Sequence, residues 1–187
     1  MRDETVAKNY AETLFELAER HEGVDRFGEG IELVARLLDE DAKVRLFLET
    51  PRIAAPEKKA VVRKVFAAEL PEQLVNFLLV TIDKRRQRLL REIAREYHAL
   101  VDEHYNRVHV EVTLARELNS QAMDELTEKL SSMLNKTAIP NVRVKPALLG
   151  GVVVRTGDTI FDGSLKRRLD GMRRRLMEAE LPSPDTA

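Results

Sequence analysis

The residue types able to do chemistry are sparse in this sequence, and their spacing does not combine them. Its four histidines, His21, His98, His104 and His109, would be the ligands of a metal site or the bases of an acid–base pair, yet none stands in an HExxH-type spacing. Asp102 and Glu103 directly precede His104, but adjacent positions on a helix point to different faces, so no dyad follows. Ser164 has no GxSxG setting to raise it as a nucleophile, and a helix cap is its better role. Two glycine clusters, Gly150-Gly151 and Gly157-Asp158 through Asp162-Gly163-Ser164, match neither GxxxxGK[ST] nor GxGxxG. The first pair leads into VVVR, which reads as a strand, whereas a phosphate loop must lead into a helix N-terminus. These glycines are expected to make a tight approach to a strand, a hairpin turn and a helix start. Cysteine is absent, which removes disulfides, thiolate metal sites and thiol nucleophiles together. No cofactor or metal site is expected.

Charge points away from nucleic acid as well. The 187 residues carry 31 Lys and Arg against 32 Asp and Glu, a net charge of −1, where a protein held by phosphates would carry a basic excess. Basic runs do occur at Lys84-Arg85-Arg86-Gln87-Arg88 with Arg91, and at Lys166-Arg167-Arg168 with Arg173-Arg174-Arg175. Neither is interleaved with aromatic residues for base stacking, and the second reads as the solvated face of an amphipathic helix. Blockwise, residues 1–50 hold 7 positive and 13 negative groups, net −6, and residues 51–100 hold 11 and 6, net +5. Two complementary layers of one bundle, or simply solvated faces, account for that. No apolar run approaches the length of a bilayer span, and MRDETVAKNYAETLF resembles neither a secretion signal nor an organelle transit peptide. A cytoplasmic product is expected.

With no chemistry to position, the elements themselves become the signal. Residues 4–20 predict a helix with two adjacent stripes, Val6–Tyr10–Leu14–Leu17 and Ala7–Ala11–Phe15–Ala18. Together they span a wider arc than one core-facing face requires. Helices are also predicted from Asp25 to Asp39, around Val44–Leu48 up to Pro51, and from Pro56 and Pro71, proline being tolerated in a first turn. The Pro71 helix, with Leu74, Val75, Phe77, Leu78, Leu79, Val80 and Ile82, is apolar nearly all round, so one side should be covered by another protein. A longer helix is predicted from Arg85 to about Tyr105. At Asn106 the period changes, and Val108, Val110, Val112 and Leu114 alternate as a strand. A helix capped by Asn119 or Ser120 runs to about Asn135. Then follow a strand at Val142–Val144, a hairpin turning at Thr156-Gly157-Asp158, and a last helix opened by Asp162-Gly163-Ser164 with Leu165, Leu169, Met172 and Leu176 expected inward. The predicted fold is mainly α. An N-terminal six-helix bundle, residues 1–105, precedes a small α/β domain, residues 106–181, with a short hairpin and terminal helix; residues 182–187 are expected as a flexible tail. The profile is that of a binding module.

Residues 146–171, PALLGGVVVRTGDTIFDGSLKRRLDG, strongly resemble the C-terminal signature of the delta subunit of bacterial rotary ATP synthases, the family that includes the mitochondrial oligomycin-sensitivity-conferring protein. VAKNYAETLFELA is similar to that family's opening helix, with Tyr10, Ala11, Phe15 and Leu17 at matching places. NFLLVTIDKRRQRLLREI resembles its fifth helix and the segment after it, with Asn76, Phe77, Leu78, Arg86, Leu90 and Ile93 on the pattern. The sequence departs at Lys84-Arg85, where many members have an acidic residue and then Asn-Gly, and at Lys166-Arg167, where Arg-Gly is common.

The resemblance implies a non-catalytic stator subunit that tethers the catalytic head to the peripheral stalk against rotor torque, so that proton transport drives ATP synthesis. It would be present once per complex, on the cytoplasmic side of the bacterial cell membrane, with no direct membrane insertion and no nucleic acid. It implies that the N-terminal helix of an alpha subunit lies in a groove between the first and fifth helices, lined by Val6, Tyr10, Thr13, Leu17, Asn76, Leu79, Val80 and Asp83. The smaller domain would meet the C-terminal helices of the b subunits, with Gly150, Gly151, Gly157, Asp158, Asp162, Gly163, Ser164 and Leu169 shaping it. A basic-patch nucleic-acid binder or a generic helical adaptor are the alternatives.

Overall fold

A computed structural model describes residues 2–21 and 23–178. The chain is mainly helical with a small four-stranded sheet, and it divides into two compact units at residues 105 and 106.

The first unit contains α1 (Arg2–Arg20), α2 (Val24–Glu40), α3 (Ala42–Glu49), α4 (Ala55–Phe66), α5 (Glu72–Asp83) and α6 (Leu90–His104). Ala7, Ala11 and Ala18 are fully buried with Leu14 along one face of α1, and these short side chains let α6, its main neighbour, approach closely. Gly30 does the same for α2, since a Cβ there would come 2.5 Å from Leu74 Cδ2. The Tyr97 ring fills the centre and its hydroxyl donates to the Val24 carbonyl at 2.8 Å, so burial of a polar tip is compensated. Burial pushes that phenol well above its usual range, with Asp25, Tyr105 and Glu19 adding to the shift.

Three local features of this unit stand out. Pro71 sits at the N-cap of α5, one residue ahead of the first turn. On α4 only Val62 and Phe66 of the four apolar residues are buried, with Val61 and Val65 exposed. The helix expected from Arg85 begins only at Leu90, after a 3-10 turn at Gln87–Leu89. Arg85 adopts a left-handed conformation, φ 56°, which ends α5 and forbids continuation.

The second unit runs β1 (Arg107–Leu114), α7 (Ser120–Leu134), β2 (Thr137–Val144), β3 (Val152–Thr156), β4 (Thr159–Asp162) and α8 (Leu165–Glu178), with strand order β2-β1-β3-β4. β1 and β2 are parallel and joined through α7; β3 pairs antiparallel with both β1 and β4. The Asn119 side chain accepts from Ala122 N at 2.9 Å and so is the cap of α7. β2 is longer than the expected Val142–Val144 because it includes Pro140, whose missing N–H is harmless on an edge strand. Val110, Val112, Leu114, Ala138 and Val154 line the sheet face under Leu130 of α7.

The last helix overturns an expectation. Leu165, Leu169, Met172 and Leu176 are exposed rather than inward, Leu169 at 54 % and Leu176 at 77 %. Its start is anchored: Gly163 N donates to Val152 O at 2.9 Å, Leu165 N to Gly150 O at 3.0 Å, and Ser164 is buried. Helical periodicity reports that a face is apolar and not what covers it, and α7 already closes the small core. The tail expected at residues 182–187 lies outside the described residues.

Candidate docking groove

The two helices with surplus apolar arc are brought side by side. Val6 lines a cleft with Arg85 and Arg86, just past the end of α5, while Tyr10 meets Phe77 further back in α5. The helices therefore run antiparallel. The Tyr10 and Phe77 rings contact edge to face at 5.9 Å between centroids, and the Arg86 guanidinium lies 5.3 Å from the Tyr10 ring centre. With Ala7, Ala11, Leu14 and Ala18 turned to the core, the rest of the flanking stripe of α1 is left nearer the surface. Val6, Tyr10 and Leu17 are half-buried and Thr13 is exposed, its hydroxyl donating back to Asn9 O at 2.9 Å.

The four groove residues expected on α5 separate by face. Asn76 is exposed and Val80 is 49 % exposed, both available beside α1. Leu79 is only 6 % exposed and belongs to the core. Asp83 is turned to α4, where its carboxylate meets Lys59 Nζ at 2.7 and 3.0 Å. Phe77 and Arg86, which the sequence reading placed on the pattern without a role, are the residues that contact Tyr10. The signal for Phe77 was its spacing from Val80 and Asn76, and for Arg86 a basic run that chain composition alone cannot assign.

The other candidate residues are dispersed. His98 Nε2 pairs with Glu32 Oε2 at 3.1 Å, His104 stacks edgewise against Phe15 and Tyr105, and His109 lies in β1. Among the described residues no group of three His, Asp or Glu could hold a metal. A cleft of about 1140 Å³ is walled by charged residues of α2, α6 and the start of α1, some paired across it, such as Arg91 with Asp39 at 3.1 Å. It has the features of a solvated charged surface, with no nucleophile or base set toward a common point.

In the second unit the glycine signature is architectural. Gly151, φ 79°, passes so close to the Gly163 carbonyl that a Cβ would collide with it. Gly150 lies against Leu165, and Gly157, φ 53°, turns the hairpin with Asp158. Asp162 Oδ1 accepts from Ser164 N at 2.9 Å, and Ser164 Oγ accepts from Arg167 N at 3.2 Å, so the serine caps α8 and the aspartate shapes the turn before it. These bonds from Ser164 hold the Asp162 carboxyl below the usual range. Leu169, expected to shape the domain interior, instead joins Leu165, Met172, Leu176, Ile160 and Phe161 as exposed apolar surface.

The fold thus combines a helical unit, in which α1 and α5 meet at Tyr10 and Phe77, with a small four-stranded sheet unit whose last helix exposes its apolar residues. The family description ATP synthase delta (OSCP) subunit matches residues 6–176. An ATP synthase subunit delta from Gemmatimonas aurantiaca is 41 % identical over 176 residues, covering 94 % of this chain and 95 % of that one. That of Desulforamulus reducens is 34 % identical, covering 92 % and 95 %. A chain of the Toxoplasma gondii mitochondrial ATP synthase hexamer shares the fold, with TM-score 0.65 at 18 % identity and coverage of 91 % and 97 %. The chain belongs to the ATP synthase delta (OSCP) family, and is a non-catalytic stator subunit linking the catalytic head to the peripheral stalk. No helix among the described residues is long and apolar enough to cross a membrane.

Proposed function

We propose that the first unit works as a six-helix bundle gripping the N-terminal helix of an alpha subunit in the α1/α5 groove. The second unit then receives the C-terminal helices of the b subunits on the exposed face of α8 and β4. The observation that carries this reading is the contact of half-buried Tyr10 on α1 with Phe77 of α5, with Val6 and Leu17 also half-buried on α1 and Val80 exposed on α5. An amphipathic helix laid there gains affinity from apolar burial and register from its i, i+3, i+4 and i+7 anchors. Thr13 and Asn76 would supply polar contacts at the rim, while Leu79 and Asp83 support the groove from behind. One copy per complex, on the cytoplasmic side of the bacterial membrane and without inserting into it, fits a tether that carries static load.

Tyr10→Asp and Val80→Asp in the full chain should each weaken binding of the alpha N-terminal helix by about tenfold or more, a loss of roughly 1.4 kcal/mol. Thermal unfolding should move little for Val80→Asp, whose side chain is half exposed, and more for Tyr10→Asp, which loses its contact with Phe77. Unchanged affinity in both variants would remove this groove from the interface.

A further inference from the structure

The turn that ends α5 is built in an unfavourable way for its sequence. Arg86 N donates to Thr81 O at 2.8 Å and Arg85 N to Ile82 O at 3.0 Å, the paired bonds of a Schellman cap. The residue that must adopt the left-handed conformation there is Arg85, φ 56°, at a position where glycine is the usual occupant. A Cβ disfavours that conformation. The Arg85 side chain is exposed and makes no hydrogen bond or ion pair among the described residues, so no side-chain contact offsets the strain. Strain without internal return is a feature of interaction sites.

Its neighbours show the same surplus. Arg85, Arg86 and Arg88 line one cleft of about 370 Å³ with Asp3, Val6 and Leu89. All three arginines are exposed, and none forms an ion pair among the described residues. Arg86 additionally lies over the Tyr10 ring, and Val6 belongs both to this cleft and to the groove, so the cationic patch is the end of the groove and not a separate surface.

We propose that Arg85 and Arg88, with Arg86, form a cationic end wall that fixes the direction of the docked helix by pairing with carboxylates in the turn lying nearest Val6. The inference rests on the groove reading above and adds to it the chemistry and orientation of the partner. Apolar burial is non-directional, so the stripe alone does not choose between the two senses of a docked helix. Carboxylates at one end make one sense attractive and the other unrewarded.

The test uses the full chain and two probes, the alpha-subunit N-terminal helix of the same synthase and a copy in which the acidic residues of its docked terminal turn are changed to amides. The Arg85→Glu/Arg88→Glu double variant should bind the natural helix about tenfold more weakly at low salt, and rising salt should shrink the difference. The amide copy should lose a similar factor on the unaltered chain and almost nothing further on the double variant, the coupling expected of direct partners. Arg85→Gly supplies a second readout with opposite signs, raising the midpoint of thermal unfolding while weakening the helix. Affinity insensitive to the reversal and to salt would overturn the proposal and leave the groove intact, as would a docked terminal turn without carboxylates. Oligonucleotide binding abolished by the reversal, with helix binding unchanged, would also overturn it. Failure of the unaltered chain to bind the helix at all would overturn both readings.

Discussion

Twenty-five buried apolar residues run through α1 to α6 as one continuous core, whereas six make up the core beneath the sheet of residues 106–178. The larger core leaves some apolar surface where α1 meets α5, with Val6, Tyr10 and Leu17 half-buried and Val80 exposed, besides Leu46 of α3 and Val61 and Val65 of α4. The smaller one leaves it as a ridge, α8, none of whose described residues is buried, together with exposed Ile160 and Phe161 of β4. Each geometry constrains its partner. A groove between two helices admits one more helix with little adjustment, because its walls are already held by packing. A ridge whose body is uncovered needs a partner that wraps or flanks it, and its own helix gains order from that contact. A tether between a rigid head and a long stalk has use for both kinds of joint.

The sharpest way to break this contrast is truncation. Phe27 is fully buried in the first core, and Phe27→Ala should lower stability by about 3–5 kcal/mol through lost transfer energy and an unfilled cavity. Leu176→Ala removes a comparable apolar mass from α8 yet should stay within about 0.5 kcal/mol in the isolated chain. Urea unfolding of the two variants decides it, and a large loss at Leu176 would mean that α8 is covered within its own chain.

A smaller effect distinguishes the polar economy of the two units. In the first, Lys58 is buried with no carboxylate partner; its ammonium donates to Leu48 O and Thr50 O, both at 2.7 Å, at the negative end of α3, and Gln87 Nε2 donates to the same Leu48 carbonyl at 2.9 Å. Burial, helped by the charge of Arg88, lowers its affinity for a proton. Lys58→Met would strip the Thr50 carbonyl of this donor and should cost about 1–3 kcal/mol. The pH dependence has a definite sign. With the folded pKa below the unfolded one, the unfolded chain binds more protons between the two values, so stability from this group rises with pH across that alkaline window. The gap between the natural chain and Lys58→Met should therefore widen from neutral towards pH ~10, as followed by urea midpoints. A gap that narrows would place the stabilisation in the charge rather than in the hydrogen bonds.

Most elements were legible because their signals are local. The Val108–Leu114 alternation, the stripes of α1 and the glycines at the hairpin each follow from a side-chain period or a backbone requirement contained within a few residues. What escaped depended on distant residues. Residues 137–141 pair with β1, so Pro140 is acceptable only because β2 is an edge, which no window around Pro140 reveals. The turn at Arg85 overrides good helix-forming residues through bonds to Thr81 and Ile82. Within the groove, helical spacing grouped Asn76, Leu79, Val80 and Asp83, but Lys59, twenty-four residues away, claims Asp83 and turns that edge of α5 towards α4. The apolar face of α8 was visible and its neighbour was not, since burial in a partner and burial in the chain produce the same pattern.

The least effect is expected at the join where α8 leaves its sheet. Ser164→Ala removes the cap on Arg167 N and should cost about 1 kcal/mol, felt in the helicity of residues 165–178 more than in any core. Asp162 adds a proton dependence to the same turn. Its folded pKa is depressed by the Ser164 hydrogen bonds, so the contribution is present above the unfolded value near 3.9 and is lost as pH falls through the lower folded value. Asp162→Asn retains an oxygen able to accept from Ser164 N while removing the charge. It should abolish this acid-dependent step and leave helicity at neutral pH nearly unchanged. Amide exchange along α8 at neutral and acidic pH would show both effects. If Ser164→Ala left that exchange unaltered, α8 would be held by something other than its first turn, and the ridge would no longer contrast with the self-contained core of the helical unit.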